Sequence, residues 1–189
     1  AATHDYVRTT LFIAPYTVQI PSNNMYNIAI MHIPMDDTHT AFHFIAWGGE
    51  TTPSTDSWRR FLHAQVGIDV DKSFIKKRTR ANNYLQDRKW MKLGNFTGIP
   101  GIPNQDIVMW ETMGPIAKRN DEILGASDVA VVEFRRQMVE AAQLYQSSGK
   151  VIGVYDDQVP QSKLHSFEGV VPKSSDWRAL GCSPEETTS

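Results

Sequence analysis

The segment from Asp128 to about Ser147 limits the possible folds most. Val131, Phe134, Met138, Ala141, Ala142 and Tyr145 recur there at helical spacing, while Glu133, Arg136, Glu140 and Gln143 fall elsewhere on the same wheel. Ser127 is a suitable N-cap and Gly149 a suitable stop. Twenty helical residues span about 30 Å, enough to cross a whole sheet. A helix of that length with one apolar stripe needs a broad apolar surface to lie on.

The first third of the chain can supply that surface. "RTTLFIAPYTVQI" (8–20), "MYNIAIMHI" (25–33) and "THTAFHFIAW" (38–47) are rich in β-branched and aromatic residues. The turn-forming runs "PSNN" (21–24) and "PMDD" (34–37) separate them. Such short connections predict an antiparallel meander, with Pro15 marking an edge or a bulge. A short helix is predicted over 54–67, capped by Ser54 or Thr55 and ended by Gly67, with Trp58, Phe61, Leu62 and Val66 on one face. A second helix covers much of 79–91, and a third begins near Gln105. After Gly149 the pattern dissolves into an extended tail, 150–189, whose polar end "SPEETTS" is expected to be disordered. A meander followed by helices is an α+β pattern.

Bulk properties narrow the class. The 189 residues fit one domain with a real core, or two small ones. Nineteen basic residues against 21 acidic ones give no electrostatic reason to expect nucleic acid or an anionic membrane as partner. No apolar run approaches the roughly 20 residues of a membrane span, and "AATHDYVRTT" lacks the features of a signal peptide. Cys182 is the single cysteine, so no disulfide framework and no cysteine-ligated cluster forms within the chain. A reducing cytoplasm is the expected setting. The chain begins with Ala rather than Met, so a processed or truncated product is expected.

Two stretches offer chemistry. "DDTHTAFH" holds Asp36, Asp37, His39 and His43, the residue types of a facial metal triad. On a strand, however, positions 39 and 43 lie roughly 13 Å apart, so the expected structure is an Asx-type turn followed by ordinary strand histidines. The second stretch is "FTGIPGIPNQDIVMW" (96–110), where Asp106 stands among apolar residues after a Gly/Pro loop. On residues alone, Asp106 reads as a first-turn helix acid favoured by free N–H groups and the dipole. Its alternative is a ligand position. "GNFTGIPG" (94–101) lacks a basic P-loop residue, and "KKRTR" (76–80) reads as a solvated cluster.

The stretches "NNYLQDR" (82–88), "FTGIPGIPNQD" (96–106), "ETMGPIAKR" (111–119) and "LGASDVAVVEFRRQMVEAA" (124–142) resemble the C-terminal part of a Rieske-type aromatic-ring oxygenase α subunit. The branch is that of phthalate and phenoxybenzoate dioxygenases and of O-demethylases of lignin-derived aromatics. "MDDTHTAFHF" (35–44) is similar to that group too, and the likeness runs from about Tyr6 to Ala142.

The resemblance implies a helix-grip fold, an antiparallel sheet around a long C-terminal helix, in partial copy. Residues 1–149 would be the C-terminal part of the catalytic domain. It implies a mononuclear non-heme Fe(II) held by two histidines and an aspartate, the last at Asp106, with Met109 and Trp110 beside it on a substrate pocket. It also implies a Rieske [2Fe–2S] cluster, an electron-transfer reductase, O₂, an aromatic acid or aryl ether as substrate, and a homotrimer when full length. This chain departs from the pattern in three ways. One cysteine cannot hold a Rieske cluster, no acidic-His-His motif precedes "YVRTTLF", and Lys118 stands where the family often has Asp. The expectation is therefore a fragment that carries one of three iron ligands and is inactive alone. The rival expectation is a non-catalytic helix-grip protein that binds a small apolar molecule. A site built from His39, His43 and Asp106 is a third possibility.

Overall fold

The computed structural model describes residues 3–21, 24–153 and 160–182. The chain divides into two units: unit 1 comprises 1–52 and 122–189, and unit 2 comprises 53–121.

Unit 1 holds the sheets. Strands β1 (His4–Thr9), β2 (Leu11–Ile13), β3 (Thr17–Gln19), β4 (Asn27–Pro34) and β5 (Thr40–Trp47) follow in order. β2 to β5 form a four-stranded antiparallel meander in sequence order. β4 and β5 pair over their full length, from Asn27↔Trp47 to Pro34↔Thr40. Ile28 and Ala29 at the centre of β4 are buried. The expected first strand, 8–20, is three pieces instead. Pro15 lies in the turn between β2 and β3 behind a cis Ala14–Pro15 bond, and having no N–H it ends the ladder there.

The long helix α4 spans Val129–Ser148 and ends at Gly149, whose φ of 71° is left-handed. Its entry differs from expectation. A 3-10 turn over Ala126–Asp128 precedes it, and Asp128 takes the N-cap place of Ser127, its carboxylate accepting from Gly125 N at 2.7 Å. The Phe134 ring meets Phe12 of β2 edge-on, 5.0 Å between centroids. Met138 and Ala141 on the same stripe are half-buried, and among the described residues no α4 side chain is fully buried. The antiparallel sheets with a long C-terminal helix make the chain α+β, as expected. The segment after Gly149 contributes a strand, β6 (Phe167–Pro172), which pairs with β1 from Thr9↔Phe167 to His4↔Pro172. "SPEETTS" lies outside the described residues.

Unit 2 is built from short helices and turns: α1 (Thr55–Leu62), α2 (Arg88–Lys92) and α3 (Ile102–Thr112). Ser54 caps α1 as expected, its hydroxyl accepting from Ser57 N at 3.3 Å, but His63 adopts a left-handed conformation and ends the helix before Gly67. The helix expected over 79–91 is broken. A 3-10 segment covers Arg80–Leu85, Asn83 to Leu85 turn left-handed, and α2 starts afresh after Asp87. Of the three left-handed residues only Asn83 is of a type that tolerates that region readily. The Asp87 carboxylate caps α2 by accepting from Lys89 N (2.8 Å) and Trp90 N (3.0 Å).

Candidate functional site

Asp106 lies in unit 2, on α3. The helix begins earlier than the sequence suggests because Gly101 and Pro103 fix its entry. Gly101 has φ +79°, and a Cβ there would meet the Leu62 carbonyl oxygen at 2.8 Å. Pro103 supplies a preset φ in the first turn, where its missing N–H costs nothing. Asp106 is consequently the fifth helical residue, and the first turn contains no acid. The dipole effect fades beyond the first turn, so the capping role read from residues alone has no basis in this geometry.

The loop before α3 is stapled from both sides. The Thr97 hydroxyl donates to the Ile99 carbonyl (3.2 Å), and Ile99 N donates back to that hydroxyl (3.1 Å). Gln105 Nε2 donates to the Ile99 carbonyl at 3.0 Å. Asn104, itself buried, donates from Nδ2 to Pro100 (2.9 Å) and His63 (3.3 Å) carbonyls. From the other side Gln86 Nε2 donates to the Thr97 carbonyl (2.7 Å), and Asp87 N donates to the Gly98 carbonyl (2.9 Å). Ile99 is buried beneath this mesh. At the far end of α3, Glu111 pairs with Lys76. Lys76 Nζ also sits 5.9 Å from the centroid of the buried Tyr84 ring. Burial pushes the Tyr84 hydroxyl pKa up, and the Glu111 carboxylate adds to the shift.

Asp106 is half-buried. Met109 and Trp110 follow three and four residues on, which puts them on its side of the helix; they are 66% and 39% exposed. One carboxylate between a tethered loop and an apolar helix face can supply a hard oxygen donor to a cation such as Fe(II). It cannot hold one alone. Among the described residues no three His, Cys, Asp or Glu side chains come together as a metal site. Chemically, Asp106 is a donor type that suits one position of an iron site, and no second or third donor joins it in a cluster among the described residues.

The Asp36–His43 stretch is a turn. The Asp36 carboxylate accepts from Thr38 N (2.8 Å) and His39 N (2.7 Å) and contacts His39 Nδ1 at 2.9 Å. The Thr38 amide, then the His39 ring, lower the Asp36 pKa to about 2. His43 lies within β5, opposite Met31. Sequence reasoning missed a cleft in unit 1 of about 400 Å³, lined by Tyr26, Asn27, Gly48, Gly49, His165 and Phe167 among others. No short motif marks it, because its walls come from positions more than a hundred residues apart.

Comparison with known proteins accounts for the whole chain. It is 56% identical over 179 residues to the phthalate 4,5-dioxygenase oxygenase subunit of Pseudomonas putida, an alignment covering 94% of this chain and 40% of that protein. It is 29% identical over 189 residues to the 3-chlorobenzoate-3,4-dioxygenase oxygenase subunit of Comamonas testosteroni, covering 92% of this chain and 44% of that one. The chain thus spans less than half the length of these curated relatives. The family described as LigXa C-terminal domain like matches residues 1–189, and the chain belongs to that family.

Proposed function

We propose that the chain is the C-terminal part of the catalytic domain of a Rieske-type aromatic-ring oxygenase. Residues 1–149 form the catalytic portion and 150–189 a C-terminal tail. The whole subunit takes electrons from a reductase and uses O₂ to hydroxylate or O-demethylate an aromatic acid or aryl ether. The observation that carries this reading is the 56% identity to a phthalate dioxygenase oxygenase subunit across nearly the whole chain.

In this reading Asp106 provides the carboxylate ligand of a mononuclear Fe(II), and two histidines come from sequence outside this chain. The iron supplies the capacity to activate O₂. Asp106 holds its carboxylate at the edge of α3, and Met109 and Trp110 offer apolar surface that sheds water and contacts a flat substrate. The Rieske [2Fe–2S] cluster belongs to another part of the subunit, since one cysteine cannot hold it. The chain alone is inactive, and the full-length subunit assembles as a homotrimer.

The test is Asp106→Ala in the full-length subunit. Mononuclear iron occupancy and oxygenation are expected to be lost while the visible absorbance of the Rieske cluster persists. Retention of both iron and turnover would overturn the assignment.

A further inference from the structure

Asn83, Tyr84 and Leu85 are left-handed in succession, with φ of 50°, 55° and 51°, and none is glycine. Side-chain sterics oppose this at every step, more for Tyr and Leu than for Asn. Such a run persists only where its surroundings over-determine it, and strain of this kind collects at functional sites. Here the surroundings can be named. Arg78 Nη1 donates to the Tyr84 carbonyl (2.9 Å) and to the Leu85 carbonyl (3.2 Å). Tyr84 N donates to the Thr79 carbonyl at 2.8 Å, and the Tyr84 ring is buried. A charge-assisted bond to two carbonyls of a strained turn is the strongest polar restraint on that segment.

The strained turn leads directly into the mesh around α3. Gln86, the next residue, reaches the Thr97 carbonyl, and Asp87 N reaches that of Gly98. Gln105, the residue before Asp106, holds the Ile99 carbonyl from the opposite side. A continuous set of hydrogen bonds therefore runs from the Arg78 guanidinium to the helix bearing Asp106.

We propose that Arg78 is a positioning residue: by holding the left-handed Asn83–Leu85 turn it fixes the 97–101 loop and the entry of α3, and so sets the place of the Asp106 carboxylate. Its consequence for oxygenation rests on the ligand role proposed above for Asp106; the mechanical claim does not.

Amide hydrogen exchange on the 189-residue chain separates the two. In Arg78→Ala, protection of 97–112 is expected to fall roughly ten- to hundredfold, the equivalent of losing one charge-assisted hydrogen bond, while β4 and β5 keep theirs. Leu85→Gly in that background should recover most of the loss, because glycine accepts the left-handed conformation without a guanidinium to hold it, and Leu85 is exposed. A general packing role for Arg78 predicts no such rescue. Unchanged protection in Arg78→Ala, or absence of rescue, overturns the proposal. Should Arg78→Ala fail to fold, Leu85→Gly alone decides: raised protection of 97–112 supports the claim and lowered protection overturns it. In the full-length subunit, Arg78→Ala should lower kcat about ten- to hundredfold with KM little changed. If Asp106→Ala left iron and turnover intact while the exchange results held, the ligand reading would fail and the positioning role of Arg78 would stand.

Discussion

In unit 1, β4 and β5 satisfy one another's backbone along eight-residue ladders, and several acids pair with arginines. Glu168 meets Arg8 at 3.4 Å, Glu122 meets Arg135, and Glu133 and Glu140 both meet Arg136. Unit 2 has no such ladder among its described residues, and there acids hold the backbone directly, as Asp36 and Asp128 also do in unit 1. Asp69 accepts from Gln65 N, Asp71 from Ser73 N and Ile75 N, and Asp87 from two amides of α2. The charge balance differs as well. Unit 1 holds fourteen acidic and seven basic side chains, a net −7; unit 2 holds seven and twelve, a net +5; together they give the −2 of the chain. A region held by ladders tolerates change at most single positions. A region held by individual side chains and tight turns depends on each of them.

The largest expected effect tests that contrast through glycine. At Gly98 of unit 2, φ is +66° and an added Cβ would run into the Asp87 carbonyl and lie 2.9 Å from Met91 Cγ. Gly98→Ala should destabilise unit 2 by about 3 kcal/mol or more. At Gly149 of unit 1, φ is similar but no atom lies within 4 Å, so Gly149→Ala should cost only about 1 kcal/mol. Urea unfolding followed by exchange in each unit measures both, and equal losses would break the comparison.

Core truncation comes next and should not discriminate. Ile28 and Ile99 are 4% and 5% exposed, so Ile28→Ala and Ile99→Ala should each cost about 2–4 kcal/mol in their own unit. A much smaller loss at Ile99 would mean that hydrogen bonds alone hold the loop before α3. Asp87→Ala should then cost about 1 kcal/mol through the lost cap of α2, read as lower helical protection at 88–92.

The smallest effect is an acid-side pH dependence read in unit 1. The Thr38 amide depresses Asp36, and the Arg136 side chain depresses Glu133, each to about 2. A lowered folded-state value stabilises the fold above the unfolded value, near 4, and this contribution disappears as pH falls toward 2. Carboxyl titration by NMR should show both midpoints well below the usual range, and Asp36→Asn should remove the first. Midpoints near 4 would mean that neither contact persists in solution.

The same contrast explains what could be read in advance. α4 was legible because Phe134, Met138 and Ala141 repeat at helical spacing and Gly149 stops the pattern. The meander was legible from strand composition and the turns between strands. The break at Asn83–Leu85 was not, because Arg78, Thr79 and Gln86 hold it through backbone carbonyls that no periodicity reports. Asp106 was singled out as a ligand candidate by the resemblance of its neighbourhood. Its second-turn place on α3 depends on Gly101 lying against the Leu62 carbonyl, a contact between residues about forty positions apart.

The pairing of β1 with β6 has a temporal side. His4 faces Pro172, so β1 must wait for nearly all of the sequence that follows it here before its partner exists. At ordinary elongation rates that delay is on the order of ten to thirty seconds. During it β1 presents bare amide and carbonyl groups to its surroundings, and closing so large a loop is entropically slow. The nascent chain therefore passes through a long interval in which a strand edge is open to other molecules, and yields of folded protein should respond more to synthesis rate and chaperone supply than to the final stability of either unit.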